Sequence, residues 1–81
     1  MKNEELHIGK QIEQKMSESG TKVSWLAKQV SCNRSHIYRI YQQKYIDIEL
    51  LIKICIKLKV NLFTLYAEYI DGKIHKHHDK K

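Results

Sequence analysis

Residues 21–44 read TKVSWLAKQVSCNRSHIYRIYQQK, and the fold turns on how this stretch divides. Val23, Leu26, Ala27 and Val30 recur at the spacing of one helix face, with Trp25 beside them as a packing residue. A short helix therefore runs from an N-cap at Thr21 or Ser24 to about Val30. Ser31, Cys32 and Asn33 interrupt the pattern. Asn33 suits the cap of a second helix over about residues 34–43, in which Ile37, Ile40 and Tyr41, spaced i, i+3, i+4, mark the inward side. At about 100° per residue this orientation directs Ser35, Arg39 and Gln42 outward. Tyr38, His36 and Gln43 fall on the flanks, and Arg34 projects forward from the first turn.

The same periodicity continues on both sides. Upstream, Leu6, Ile8, Ile12 and Met16 mark one face of a helix over about residues 5–18, ending near Gly20. Downstream, Asp47 can cap a helix whose buried face is Leu51, Ile54, Cys55 and Leu58. Asn61 can cap a fifth helix holding Leu62, Phe63, Leu65, Tyr66, Tyr69 and Ile70. After Gly72 the apolar rhythm is lost, so residues 1–72 form a single domain and 73–81 a basic, histidine-containing tail that need not be ordered. With 81 residues, 42% of them hydrophobic, no proline and only 3 glycines, the chain is too apolar for disorder and too poor in turn formers for an all-β domain. An all-α fold is expected.

Charge is concentrated in the segment that carries the central helices. The formal net charge is +6, yet the first 21 residues set three lysines against four glutamates, and the last 22 set four lysines against three acids. Lys22, Lys28, Arg34, Arg39 and Lys44 lie between residues 22 and 44 with no acid among them, as expected of a surface that meets a polyanion. Asp47, Glu49 and Lys53 break the longest apolar stretch, and the first ten residues lack the order of a signal peptide. No membrane span and a cytoplasmic location are expected. Cys32 and Cys55 have no CxxC partner, so reduced thiols are the default and neither a disulfide framework nor a four-ligand zinc site can be written from them.

A short helix, a turn of about three residues and a basic outward helix form the arrangement a helix-turn-helix uses to set its second helix in the major groove of DNA. The stretch LAKQVSCNRSHIYRIYQQK followed by IELLIKICIKLKVNLFTLY resembles the phage repressor and Cro (XRE) family of helix-turn-helix domains over about Ile8 to Tyr66. Leu26 and Ala27, Ile37 and Ile40, and the rhythm of Leu50, Leu51, Lys53, Ile54, Leu58 and Val60 carry the likeness. It implies a five-helix repressor-like domain with the motif on helices 2 and 3. Ala27 has its own reason: the two motif helices cross closely there and leave room only for a small side chain.

Carried onto this chain, the resemblance places the base-reading positions at Arg34, Ser35, Tyr38 and Arg39, with His36 beside them. An arginine can make a bidentate contact to guanine, serine can donate or accept, and Tyr38 can reach a phosphate or pack on a thymine methyl. Lys22, Lys28, Gln42, Lys44 and Tyr45 are the phosphate-contact candidates. Three positions depart from the family pattern: Val23 stands where glutamine is common, Ser31 where glycine starts the turn, and Tyr41 where glutamate closes helix 3. Ser31 must then accept a conformation that glycine prefers, at about 1 kcal/mol.

Other chemistry finds less support. Ser35 and His36 point about 100° apart on a helix and cannot act as nucleophile and base, Asp47 and Glu49 serve a helix start, and no glycine-rich phosphate loop exists. No enzyme, cofactor or small-molecule ligand is expected. Cys32 with His36, or His75, His77, His78 and Asp79, offer metal-ligating atoms but no fixed tetrahedral set, so no metal site is assigned. Ile52 and Ile56 lie off the buried stripe of helix 4, and helix 5 is apolar over a wide arc. Ile52, Ile56, Phe63, Tyr66, Tyr69 and Ile70 thus make a candidate face for a homodimer that spaces two recognition helices about 34 Å apart. The expectation is a sequence-specific regulator of transcription, repressor-like, bound to double-stranded DNA. The alternative is an antitoxin-like or adaptor module that uses the scaffold to bind protein.

Overall fold

The computed structural model describes residues 6–78 and contains five helices: α1 (Ile8–Ser19), α2 (Val23–Gln29), α3 (Arg34–Tyr41), α4 (Ile48–Leu58) and α5 (Phe63–His78). Among the described residues there is no strand, and the fold is all-α, as the periodicity predicts. The core is built from Ile8, Ile12 and Met16 of α1, Leu26 and Ala27 of α2, Ile37, Ile40 and Tyr41 of α3, and Leu51, Ile54 and Cys55 of α4. Val30 and Leu62 close it from the connecting segments. Leu58, expected in that core, is half-buried at its edge.

The capping residues read from the sequence hold at three helix starts and fail at one. Asn33 Oδ1 accepts from the His36 N–H at 2.8 Å, and Asp47 Oδ2 accepts from the Leu50 N–H at 3.1 Å. Asn61 Oδ1 likewise accepts from the Phe63 N–H at 3.0 Å. The start of α2 is different: its N-cap is Lys22, whose side chain makes no capping bond, rather than Thr21 or Ser24. Thr21 instead shares a 2.6 Å hydroxyl–hydroxyl bond with Ser19, and Ser24 is already inside the helix.

Three helices end by the same device. The residue after the last helical turn adopts a left-handed backbone at Gly20 (φ 69°), Ser31 (φ 58°) and Lys59 (φ 59°). The following N–H then reaches back to close the turn: Thr21 to the Met16 carbonyl at 3.0 Å, Cys32 to Ala27 at 2.8 Å, Val60 to Cys55 at 3.1 Å. Only the first of these positions is a glycine, so the strain expected at Ser31 is present and a second instance occurs at Lys59.

α1 is locked to the chain leaving α3 through its backbone. The N–H groups of Ile8 and Gly9, which have no partner within α1, donate to the carbonyls of Lys44 and Gln43, each at 3.0 Å. His7 Nδ1 accepts from the Lys10 N–H at 3.2 Å and completes this helix start. Gly9 makes the close approach possible: a Cβ there would lie 2.6 Å from the carbonyl oxygens of Tyr41 and Gln43 and nearer still to that of Ile40.

α5 does not stop at Gly72, where the apolar rhythm fades, but continues to His78. An interior glycine costs a helix about 1 kcal/mol, which the helix-forming residues on either side can absorb. The molecule measures 49 × 22 × 21 Å along its principal axes. Residues 79–81 lie outside the described residues.

Two substitutions test this reading. Gly9→Ala improves helix propensity by about 1 kcal/mol, yet is expected to destabilise the protein by about 2–3 kcal/mol because three backbone carbonyls stand in the way. Urea unfolding distinguishes the two signs. Ser31→Gly removes the left-handed strain and is expected to stabilise by about 0.5–1 kcal/mol, a rise of several degrees in Tm for a domain this small.

Candidate nucleic-acid interface

Burial of Ile37, Ile40 and Tyr41 fixes the rotation of α3 about its axis. The remaining positions follow from helix geometry: Arg34, Tyr38, Gln42, Ser35 and Arg39 share an outer arc of about 140°. All five are exposed. His36 lies at the margin of this arc, half-buried, with its backbone N–H held by the Asn33 cap. The five base-contact candidates read from the sequence are therefore brought to one helix, four on the outer face and His36 at its edge.

The turn that presents α3 is short and tightly closed. Ala27, 4% exposed, is buried in α2, which packs against α3, and its carbonyl accepts from the Cys32 N–H, so a larger side chain at 27 would disturb the packing of the motif helices. Burial pushes the Cys32 thiol up from its ordinary range. That shift disfavours the thiolate and with it nucleophilic chemistry.

The phosphate-contact candidates are distributed around this unit. Lys22 stands at the start of α2 and Lys28 in its last turn, both exposed. Gln42 is the C-cap of α3 and is exposed. Lys44 is half-buried, with its carbonyl accepting from α1 and its ammonium 5.7 Å from the ring of Tyr45, which is itself exposed. Among the described residues no carboxylate pairs with Lys22, Lys28, Arg34 or Arg39. Glu18 pairs with Lys15 at 3.6 Å, and Asp47 is engaged as a cap. An unneutralised cationic surface on a compact domain attracts a polyanion.

The family comparison agrees with this geometry. A sequence model of the Cro/C1-type helix-turn-helix DNA-binding domain matches residues 11–67, spanning α2, α3 and α4 and reaching into α5. The chain belongs to this family. Its helices 2 and 3 are the helix-turn-helix, its fold is the helical repressor-like one, and DNA binding is the activity that family membership supports. Comparison with curated proteins and with solved structures gave no match.

The apolar residues outside the core differ in how far they are covered. Trp25, expected to pack, is instead 43% exposed and lines a shallow depression with Ser19, Gly20, Thr21 and Lys22. Position 25 lies one residue before the inward Leu26 and so falls on the side of the stripe that faces solvent. Of the six apolar residues read as one face on helices 4 and 5, Ile52, Ile56 and Ile70 are exposed. Phe63 and Tyr66 pack partly against the core, and Tyr69 is half-buried with Lys73 5.4 Å over its ring. Ile48 and Ile74 are exposed as well and were not singled out. The signal was present: Ile48, Ile52 and Ile56 repeat at i, i+4, i+8, a second stripe beside the buried one.

Ile52, Cys55, Ile56, Val60 and Phe63 line an open groove of about 420 Å³ where α4 gives way to α5. No described helix is long and apolar enough to cross a membrane, and no described group of three histidine, cysteine or acidic side chains could hold a metal ion. Of the tail residues weighed for metal, Asp79 lies outside the described residues.

Proposed function

We propose that this protein is a sequence-specific regulator of transcription, repressor-like, that works in the cytoplasm by inserting α3 into the major groove of double-stranded DNA. Residues 1–72 act as the single DNA-binding unit, with 73–81 an appended basic tail. The observation that carries the reading is the outer face of α3: Arg34, Ser35, Tyr38 and Arg39 exposed together, with no acid among the described residues neutralising either arginine, on a helix-turn-helix of a DNA-binding family. Arg34 and Arg39 read base edges, with guanine as the geometric match for a guanidinium fork. Ser35, Tyr38 and His36 complete the base-facing set. Lys22, Lys28, Gln42, Lys44 and Tyr45 hold phosphates and set the register of docking.

The protein acts as a homodimer through α4 and the outer part of α5. Ile52, Ile56 and Ile70 form the exposed part of this face, extended by Ile48 and Ile74, with Phe63, Tyr66 and Tyr69 at its inner edge. A second copy is the fitting occupant of the groove. α5 starts in that groove at Phe63 and continues as a rigid rod, so its own Ile70 and Ile74 stand roughly 10 and 16 Å further on and cannot fold back into it. One chain therefore offers both the apolar residues and the groove that suits them, the condition for a self-complementary two-fold contact.

Selection of bound duplexes from a random library at two salt concentrations tests the DNA reading. An enriched, roughly palindromic motif is expected, whereas retention without enrichment that vanishes at higher salt leaves only an electrostatic surface. In that case the groove supports the alternative, a module that binds another protein. On the enriched motif, Arg34→Ala and Arg39→Ala should each weaken binding by about 1–3 kcal/mol and relax preference at one position, with thermal stability nearly unchanged. Equal loss on every sequence would reassign them to phosphates. Sedimentation tests assembly: the wild type is expected to dimerise with concentration, and Ile52→Asp or Ile70→Asp to yield folded monomers. A wild type that stays monomeric at all concentrations removes the dimer and leaves DNA binding standing.

A further inference from the structure

The outer face of α3 is polar at Arg34, Ser35, Arg39 and Gln42 and carries one large apolar surface, the ring of Tyr38, which is 55% exposed. That ring does not move freely. One turn further on, Tyr41 is 7% exposed and packed in the core with Ile37 and Ile40. The two rings meet edge to face, with centroids 5.9 Å apart and planes at 85°. This geometry is attractive because the positive edge of one ring meets the negative face of the other. Burial immobilises Tyr41, so the contact orders Tyr38 rather than the reverse. Burial, with smaller pushes from Glu13 and Tyr38, also holds the Tyr41 phenol above its ordinary range, so it stays neutral.

Position decides what an ordered ring at residue 38 can touch. Arg34, Tyr38 and Gln42 form one i, i+4, i+8 stripe along the outer face, with Tyr38 at its centre. The N-terminal half of a recognition helix in the major groove contacts base edges, and Tyr38 follows Arg34 by one turn on that side, while Gln42 lies beyond the helix at its far end. Base edges there present hydrogen-bond donors and acceptors and one apolar mark, the C5-methyl group of thymine. A ring already held in place loses little rotamer freedom on contact.

We propose that Tyr41 is a positioning residue that holds the Tyr38 ring ready to pack on the C5-methyl group of a pyrimidine, thymine in ordinary DNA. The inference rests on α3 being the recognition helix and adds to that reading a chemical group and a second residue. It assigns the ring of Tyr38 to base readout, leaving its hydroxyl no required phosphate partner.

Replacing each thymine of the selected motif in turn by uracil tests the contact, since this removes the methyl group alone. At one position per half-site the wild type is expected to bind the uracil duplex about fourfold more weakly, the effect of one buried methyl. Tyr41→Phe keeps the ring pair and should keep that ratio. Tyr38→Ala and Tyr41→Leu should bring it to one, with the salt dependence of binding unchanged because no phosphate contact is lost. Melting curves establish that each variant is folded, and Tyr41→Met fills the core in place of leucine if the latter unfolds. A motif whose thymines all tolerate uracil overturns this inference while leaving DNA recognition by α3 intact; failure to select any motif removes the recognition reading itself. A ratio that survives Tyr41→Leu but not Tyr38→Ala overturns the positioning role, and a weaker salt dependence in Tyr38→Ala returns the residue to the phosphates.

Discussion

Two backbone hydrogen bonds, from Ile8 and Gly9 to the carbonyls of Lys44 and Gln43, tie the start of α1 to the chain leaving α3. They form only because Gly9 has no side chain to collide with the carbonyls of Ile40, Tyr41 and Gln43. The junction satisfies N–H groups at the start of one helix and carbonyls beyond the end of another, groups that would otherwise be left to solvent. It also sets Ile8 and Ile12 in one core cluster with Ile37 and Ile40, side chains that are all but fully buried. α3 is thereby held from behind by α1 and from the side by α2, and its solvent-facing arc has one orientation.

That rigidity gives the polar face its chemical meaning. Arg34 and Arg39 are long and exposed, but the backbone from which they project is fixed by the Asn33 cap at one end and the α1 junction at the other. The carboxylates nearest in sequence are kept from the cations: Glu18 turns to Lys15, and Asp47 to the first turn of α4. Arg34 and Arg39, with no counter-ion among the described residues, suit an external polyanion. The helix-turn-helix scaffold accounts for the core.

The second half of the chain follows a different logic. α4 has two apolar stripes, one buried at Leu51, Ile54 and Cys55 and one exposed at Ile48, Ile52 and Ile56. α5 is anchored only at its beginning, by Leu62, Phe63, Leu65 and Tyr66, and then runs on with Ile70 and Ile74 uncovered. The exposed isoleucines are thus gathered on α4 and α5, apart from the outer face of α3.

The sequence by itself determined the five helices, the inward residues of α3 and the polar character of its outer face, because helical periodicity and capping are local properties. Ile37, Ile40 and Tyr41 carried their orientation in their spacing, and Asn33 and Asp47 were legible as caps from chemistry alone. Gly9 was not legible: its role depends on carbonyls more than thirty residues away, and nothing in its neighbours signals them. The cap of α2 was misread because Thr21 looks like a cap until Ser19 is seen to hold its hydroxyl. α5 runs on to His78, past Gly72 where the apolar periodicity fades, because backbone hydrogen bonding within a helix does not depend on an apolar face. Only the tertiary structure decided which apolar residues found partners, separating half-buried Phe63 and Tyr66 from exposed Ile48, Ile70 and Ile74, since burial depends on which surface of which neighbour stands opposite. It also decided that Tyr38 rests on Tyr41, because two rings one turn apart can meet only after the core has fixed one of them.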